Sequence, residues 1–361
     1  MRGDDPQQAP ICSDSSPEER VPPAHPLRAM RARVDAVLKA LSPPFDQVDS
    51  HTGRPSIAPE TWLRALLRHV LYTVRRERWL MEQLDYNRLL RWLVGLNRDE
   101  PIWEASTFSQ HRERWLAGAI AHACCDPVRA QARARTRWSD EHCTVDGTRI
   151  EAWAGQKSCT RQDAAPPAAP PDDPGHPRLD FRGERRPNAT HASTTDLAAR
   201  LYTKATGPAA KRASLGPVRM ENRHGLVVDS GVPQATGTAE REAALAMAEA
   251  MPGQRRVTLG ADKNDDTHDV VCERREWQVT PPVAHKTAGR SSTIAGRTTR
   301  HPGDAVSQRK RTCVEELVGW LKPLGLRRQV RHRGMARVGW LCTVAAAVYH
   351  LVRMRILAAA A

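Results

Sequence analysis

The sequence predicts an α/β fold, a mixed sheet flanked by helices with an all-helical N-terminal domain in front of it. Three patterns predict it. Apolar residues recur at helical spacing up to about residue 138, a polar–apolar alternation begins at His142, and strand-like and helix-like segments interleave from there to the C-terminus. No internal repeat is visible.

Residues 1–26, rich in Pro, Ser and charge, read as a loose arm. A helical block follows over 27–138. Leu27, Met30, Val34, Val37, Leu38 and Leu41 form one stripe, and Leu63, Leu66, Leu67, Val70 and Val74 form a second after the start signal Ser56 and Pro59. Shorter helices are expected around 79–94 and 107–135.

Residues 139–361 read as the second domain. In His142-Cys-Thr-Val-Asp146, Cys143 and Val145 fall on one face of a strand and Thr144 and Asp146 on the other. From about 155 to 195 the chain is dominated by Pro, Ala, Asp and Arg, with seven prolines between Asp163 and Pro187, and reads as a disordered insertion. After it a hairpin is expected over Val218–Glu221 and Leu226–Val232, turning at Arg223-His224-Gly225. A helix from about Thr238 to Met251 and a strand Val257–Ala261 leading into Asp262 come next. A helix near 267–276, a strand near 278–284 and two closing helices, about 306–322 and 337–357, complete the order.

The 361-residue chain carries 55 Lys and Arg against 41 acids, a formal net charge of +14, so a polyanion is the first partner to consider. Between Lys286 and Arg355 there are 15 Lys and Arg against Asp304, Glu315 and Glu316. Eight cysteines without a CxxC pair argue against a zinc ribbon or a disulfide framework, and point to a reducing cytoplasm. The N-terminal residues lack a signal-peptide pattern. The apolar run Val338–Val352 falls short of the roughly 20 residues that cross a bilayer and reads as a core helix, so no membrane partner is expected. The fourteen histidines show no close metal-ligand spacing.

On the helix around Glu315 each residue advances by about 100°, so that, with Arg311 at zero, Gln308 falls at roughly +60°, Glu315 at about +40° and Lys322 at about +20°. These four polar groups share one stripe. Val314, Leu317, Val318 and Leu321 occupy a neighbouring sector, which lets the helix pack on a core while aiming a carboxylate flanked by two cations elsewhere. Alone, the stripe reads rather as an exposed Arg311–Glu315 ion pair of small value. Asp146-Gly147 is likewise readable as a tight turn, and Asp262 with Asp265 and Asp266 as a helix-capping loop.

Taken together, VDGTRIEAWA, ENRHGLVVDS, TLGADK and QRKRTCVEELVGWLK resemble, in this order, segments of bacterial insertion-sequence transposases of the IS-five group. The resemblance extends to IAPETWLRALL, MEQLDYN and LVGLN in the helical block and to the closing helix. It implies a ribonuclease-H-like fold and a DDE active site. Asp146 and Asp262 match the two aspartates, and Arg311, Glu315 and Lys322 match an Arg-x3-Glu-x6-Lys signature. Asp146, Asp262 and Glu315 are thereby implied as catalytic metal ligands for two Mg²⁺ or Mn²⁺ ions, and Arg311, Lys322 and Gln308 as DNA contacts. Hard divalent ions take oxygen ligands. A pair of them roughly 3.5–4 Å apart activates water or a 3′-hydroxyl and stabilises the leaving oxygen.

The implied protein binds double-stranded DNA at terminal inverted repeats and at target sites, cleaves and transfers strands as an endonuclease and strand transferase, works as a homo-oligomer in the synaptic complex, and resides in the bacterial cytoplasm at the nucleoid. A decayed transposase remnant, a non-enzymatic DNA-binding protein and a simple two-metal nuclease or ribonuclease H stay open beside it. The sequence departs from the family where Asn264 and Asp265 follow Lys263, where Gln308 replaces a tyrosine, at Asp304, and at Cys124, Cys125 and Arg129 in the helical block.

Overall fold

The computed structural model describes residues 17–48, 56–74, 76–117, 120–136, 142–161, 180–181, 184–203, 210–250, 257–260, 279–280, 302–322 and 329–360. The chain divides into two compact units, one from Met1–Thr136 with Leu324–Leu326 and Thr343–Ala361, the other from Arg137–Pro323 with Arg327–Cys342.

The first unit is helical: α1 (Pro17–Arg20), α2 (Pro26–Ala40), α3 (Ser42–Val48), α4 (Pro59–Leu71), α5 (Glu77–Tyr86), α6 (Arg88–Val94), α7 (Ala105–Ala117) and α8 (Ile120–Thr136). The stripe of α2 is a buried face, whereas α4 is buried nearly all round, Arg64 and Arg68 included, and Leu67 of its stripe is only half-buried. Leu27, Met30, Val34, Val37 and Leu38 line the inner side of α2, which starts with a proline in its first turn and has His25 Nδ1 accepting from the Leu27 amide at 3.3 Å. The segment expected around 79–94 is two helices because Asn87 leaves helical geometry and caps α6, its side chain accepting from the Leu90 amide at 3.2 Å. Gly95, at φ 92°, closes α6 in the left-handed conformation that glycine adopts without penalty. Aromatic rings fill the centre. Trp62 of α4 stacks on Trp115 at 6.2 Å and packs on Phe108 at 5.1 Å, while Phe45 meets Trp115 edge-on at 5.3 Å. Each such pair adds about 0.5–1.5 kcal/mol beyond the area it buries.

The second unit carries β1 (His142–Glu151), β2 (Cys159–Arg161), β3 (Asp180–Phe181), β4 (Glu184–Arg185), β5 (His191–Ser193), β6 (Arg200–Tyr202), β7 (Lys211–Glu221), β8 (Leu226–Ser230), α9 (Ala239–Glu249), β9 (Val257–Gly260), β10 (Val279–Thr280), α10 (Pro302–Leu321) and the start of α11 (Met335–Ala360). Six strands form one mixed sheet in the order β10-β9-β1-β7-β6, with β8 also paired to β7. β7 runs antiparallel to β1, and β8 and β6 antiparallel to β7, whereas β9 is parallel to β1 and β10 to β9. The mixed α/β architecture is therefore present as expected. So is the hairpin: Glu221 at the end of β7 accepts from the amides of Arg223 and His224 at 2.6 and 2.9 Å, and Gly225 takes the positive φ, 69°, that completes the turn.

Three expectations differ in extent. The insertion expected to be disordered begins and ends in regular structure, because β2 pairs antiparallel with β5; each is three residues long, too short to show a period, and residues 162–179 lie outside the described part. The helix expected near 267–276 also lies outside it, and the strand near 278–284 is described only as Val279–Thr280. The end of the chain, read with the second domain, belongs to the first unit from Thr343 onward, where Val352 packs against the cluster of Val21, Leu27, Met30, Trp92 and Leu93. By length and composition α11 is apolar enough to cross a membrane, with a mean hydropathy of 1.4, yet more than half of that stretch is buried inside the protein.

Candidate catalytic and nucleic-acid sites

Asp146 sits in the middle of β1, opposite Val218 of β7. On the other flank β9 pairs with the first residues of β1: His142 with Thr258, Cys143 with Leu259 and Thr144 with Gly260. Cys143 and Val145 pack on Ala244, Met247 and Ala248 of α9 and on Leu259, so α9 covers one face of the strand. By alternation Asp146 belongs to the other face, with His142, Thr144 and Thr148. That face is covered too. Thr144 and Thr148 are buried, and Thr144 exchanges hydrogen bonds of 2.8 and 3.1 Å with Asn222. Asp146 is half-buried, and its Oδ1 accepts from the Gly147 amide at 2.8 Å.

α10 packs against both β1 and β9. Its Val314, Leu317, Val318 and Leu321 are buried while Glu315 is exposed, so the amphipathic reading of this helix holds. Lys322, exposed, follows the last turn and donates its amide to Val318 O at 3.0 Å. Gln308 and Arg311 lie on α10, and their side chains are outside the described residues, as is Asp262 altogether. The elements bearing Asp146 and Glu315 are thus in contact, together with the strand that ends two residues before Asp262. Among the described residues no three His, Cys, Asp or Glu side chains group closely enough to hold a metal ion. Burial first, and then the charge of Lys310 on α10, hold the pKa of His142 below its ordinary 6.5.

The structure adds residues around Gly147, which follows Asp146, that the sequence reading did not single out. Glu240, in the first turn of α9, lies against Gly147, with its Oε1 2.6 Å from where a Cβ on that glycine would be. Tyr202 of β6 is pushed up to about 12, first by burial and then by Glu240, against a lowering pull from Arg149. A glutamate in a first helical turn reads from sequence as a partner for the helix dipole, so no spacing signal distinguishes Glu240.

Exposed aromatic side chains occur in both units, and exposed basic ones cluster in sequence near the C-terminus. In the first, Tyr72, Trp79 and Tyr86 are exposed, and the Arg68 guanidinium lies 5.6 Å from the Tyr72 ring. In the second, Arg309, Lys310, Lys322, Arg331, Arg333 and Arg337 are exposed, with Arg331 over Trp153 at 5.5 Å.

Residues 15–114 match the family described as Transposase domain (DUF772), a stretch that covers most of the helical block. No curated protein sequence matches the chain. The piggyBac transposase in a synaptic complex with hairpin DNA is similar over 93% of this chain and 76% of that one, at 9% identity and a TM-score of 0.43. The Mos1 strand transfer complex is similar over 82% and 86%, at 12% identity and a TM-score of 0.21. The Mos1 mariner paired end complex with Mn matches over the same shares, 82% and 86%, at 14% identity and a TM-score of 0.20. These likenesses are too low to define a shared fold.

Proposed function

We propose that this chain, whose residues 15–114 match a transposase-domain family, is a DNA transposase of the DDE type on a ribonuclease-H-like second domain. The observation that supports it most is the packing of α10, the helix of Glu315, on both β1 and β9. Asp146 lies on the first of these strands, and Asp262 follows the second. The strand β9 is parallel to β1 and pairs with its first residues, His142 to Thr144. An antiparallel meander, β1-β7-β8, followed through α9 by strands parallel to β1, is the topology read here as ribonuclease-H-like.

Asp146, Asp262 and Glu315 offer carboxylate oxygens, the donor type that Mg²⁺ or Mn²⁺ takes. When bound, two such ions supply polarisation of the scissile phosphate and activation of a water or 3′-hydroxyl. In this reading the chain's own groups orient the DNA. Lys322 and Arg311, on the stripe of Glu315, hold phosphates beside the carboxylates, and the buried face of α10 fixes that stripe to the sheet. The helical block and the basic C-terminal region provide affinity for double-stranded terminal repeats. Synapsis of two ends calls for a homo-oligomer.

The test is strand cleavage and transfer on DNA carrying the inverted repeats that flank the gene, with Mg²⁺, comparing the native chain with Glu315→Gln. Cleavage and transfer by the native chain, lost in Glu315→Gln while DNA binding persists, is the expected result. Binding without metal-dependent cleavage by the native chain would instead identify a DNA-binding remnant. Cleavage without end specificity or transfer would identify a simple nuclease.

A further inference from the structure

We propose that the transposase domain holds a pocket for one unpaired nucleotide of a DNA strand, lying between α1 and α6 within the first unit. The cavity has a volume of about 270 Å³. Its walls include Val21, Pro22, Leu89 and Leu96, and arginines 88, 91 and 98 line it as well. Small-molecule sites run to roughly 300–1,000 Å³, so this one suits a single ring system with its sugar rather than a larger ligand.

The charges select the ligand. Arg91 is buried, 4% exposed, and its guanidinium donates only to backbone carbonyls: Leu84 O at 3.0 Å, Asn97 O at 3.0 Å and Glu100 O at 2.5 Å. Among the described residues no carboxylate pairs with it. A buried cation compensated only by dipoles favours an anion in the space it lines. Arg88 and Arg98 are exposed and make no ion pair among the described residues, so their positive charge is available to a ligand. The carboxylate of Glu18, on α1, is engaged by Arg28 and the Trp92 indole instead.

Phosphate on a paired duplex needs cations but no apolar cavity. An apolar cavity lined by arginines fits a base that has left the stack, with its phosphates on Arg88 and Arg98 and its ring on Leu89 and Leu96; arginine planes also stack on bases. This inference rests on the reading of the chain as a DNA-binding transposase and adds a preference that duplex binding alone does not require.

The test uses the full chain and three probes: a thymidine dodecamer, a dodecamer of abasic sites with the same phosphates, and a blunt duplex. Burial of one ring predicts that the thymidine strand binds about tenfold or more tightly than the abasic one. Leu89→Glu should bring the two single strands to equal affinity and leave the duplex unchanged. Arg88→Ala with Arg98→Ala should weaken both single strands. A 2-aminopurine strand should brighten on binding the native chain, which gives a readout independent of any variant's folding. Equal affinity for the two single strands, no brightening, or displacement of the thymidine strand by an acidic leucine-containing peptide overturns the pocket. If the duplex binds and the base preference is absent, the pocket alone fails. If neither duplex nor single strand binds, the DNA-binding reading fails with it.

Discussion

The Glu240 carboxylate occupies the space that a side chain on Gly147 would fill: Oε1 lies 2.6 Å, and Cδ and Cγ each 2.8 Å, from the position of a Cβ there. Gly147 follows Asp146 and donates its amide to Asp146 Oδ1, so the one position holds the strand close to α9 and steadies Asp146.

Gly147→Ala should therefore force Glu240 aside, since even Cγ is within contact and rotating the carboxylate alone does not relieve the clash. Overpacking of this kind costs about 1–3 kcal/mol. Chemical denaturation of Gly147→Ala, Glu240→Ala and the double variant measures it. The double variant should recover a large part of the loss, and strictly additive effects would mean that the two residues do not compete for space.

His142 gives a pH signature. Its folded-state pKa is depressed by burial and by Lys310, so the unfolded chain binds the proton more readily than the folded one. The associated stability is fully present above the ordinary value of 6.5 and is lost as pH falls from there through the folded value. Thermal unfolding followed from about pH 7.5 down to about pH 5.5 should show a decline that His142→Gln makes shallower. Identical pH slopes for the two proteins would remove His142 from that account.

Arg68 is 2% exposed, and its Nε and Nη1 find no acceptor among the described residues. Burial pushes its pKa down to about 10, against a raising effect of Tyr72 and Tyr86, so it still carries its charge at neutral pH. An apolar side chain of similar length avoids that desolvation. Arg68→Met should be neutral or more stable by up to about 1 kcal/mol, whereas Arg68→Ala should lose about 2 kcal/mol of packing. A loss above about 2 kcal/mol for Arg68→Met in urea unfolding would mean that the guanidinium is well satisfied in solution.

Periodicity made much of this fold legible. The stripe of α2 and the sector of Val314, Leu317, Val318 and Leu321 on α10 are buried faces because a helix on a core repeats every three to four residues, while α4 is buried nearly all round. The alternation at Cys143 and Val145 marked one face of β1, while the burial of Thr144 and Thr148 went unread, since a sheet covered on both sides hides polar residues as well as apolar ones. The Glu240–Gly147 contact and the cavity between α1 and α6 join residues far apart in sequence, where no local period links them. The end of α11 was assigned to the second block because its apolar residues run almost all round the helix and name no preferred partner face. For the candidate site, Asp146 and Glu315 are singled out only by motifs in order, since an exposed glutamate or a half-buried aspartate carries no pattern of its own.

Metal binding tests the central claim most directly. Mn²⁺ titrated into the full chain, with bound ion followed by electron paramagnetic resonance, should reveal a site that Asp146→Asn, Asp262→Asn and Glu315→Gln each abolish or weaken by about tenfold or more, because the proposed site draws its ligands from all three. Lys322→Ala should leave that site intact, as its cation is assigned to phosphate. Retention of native Mn²⁺ affinity and stoichiometry in any one of the three carboxylate variants would contradict the account.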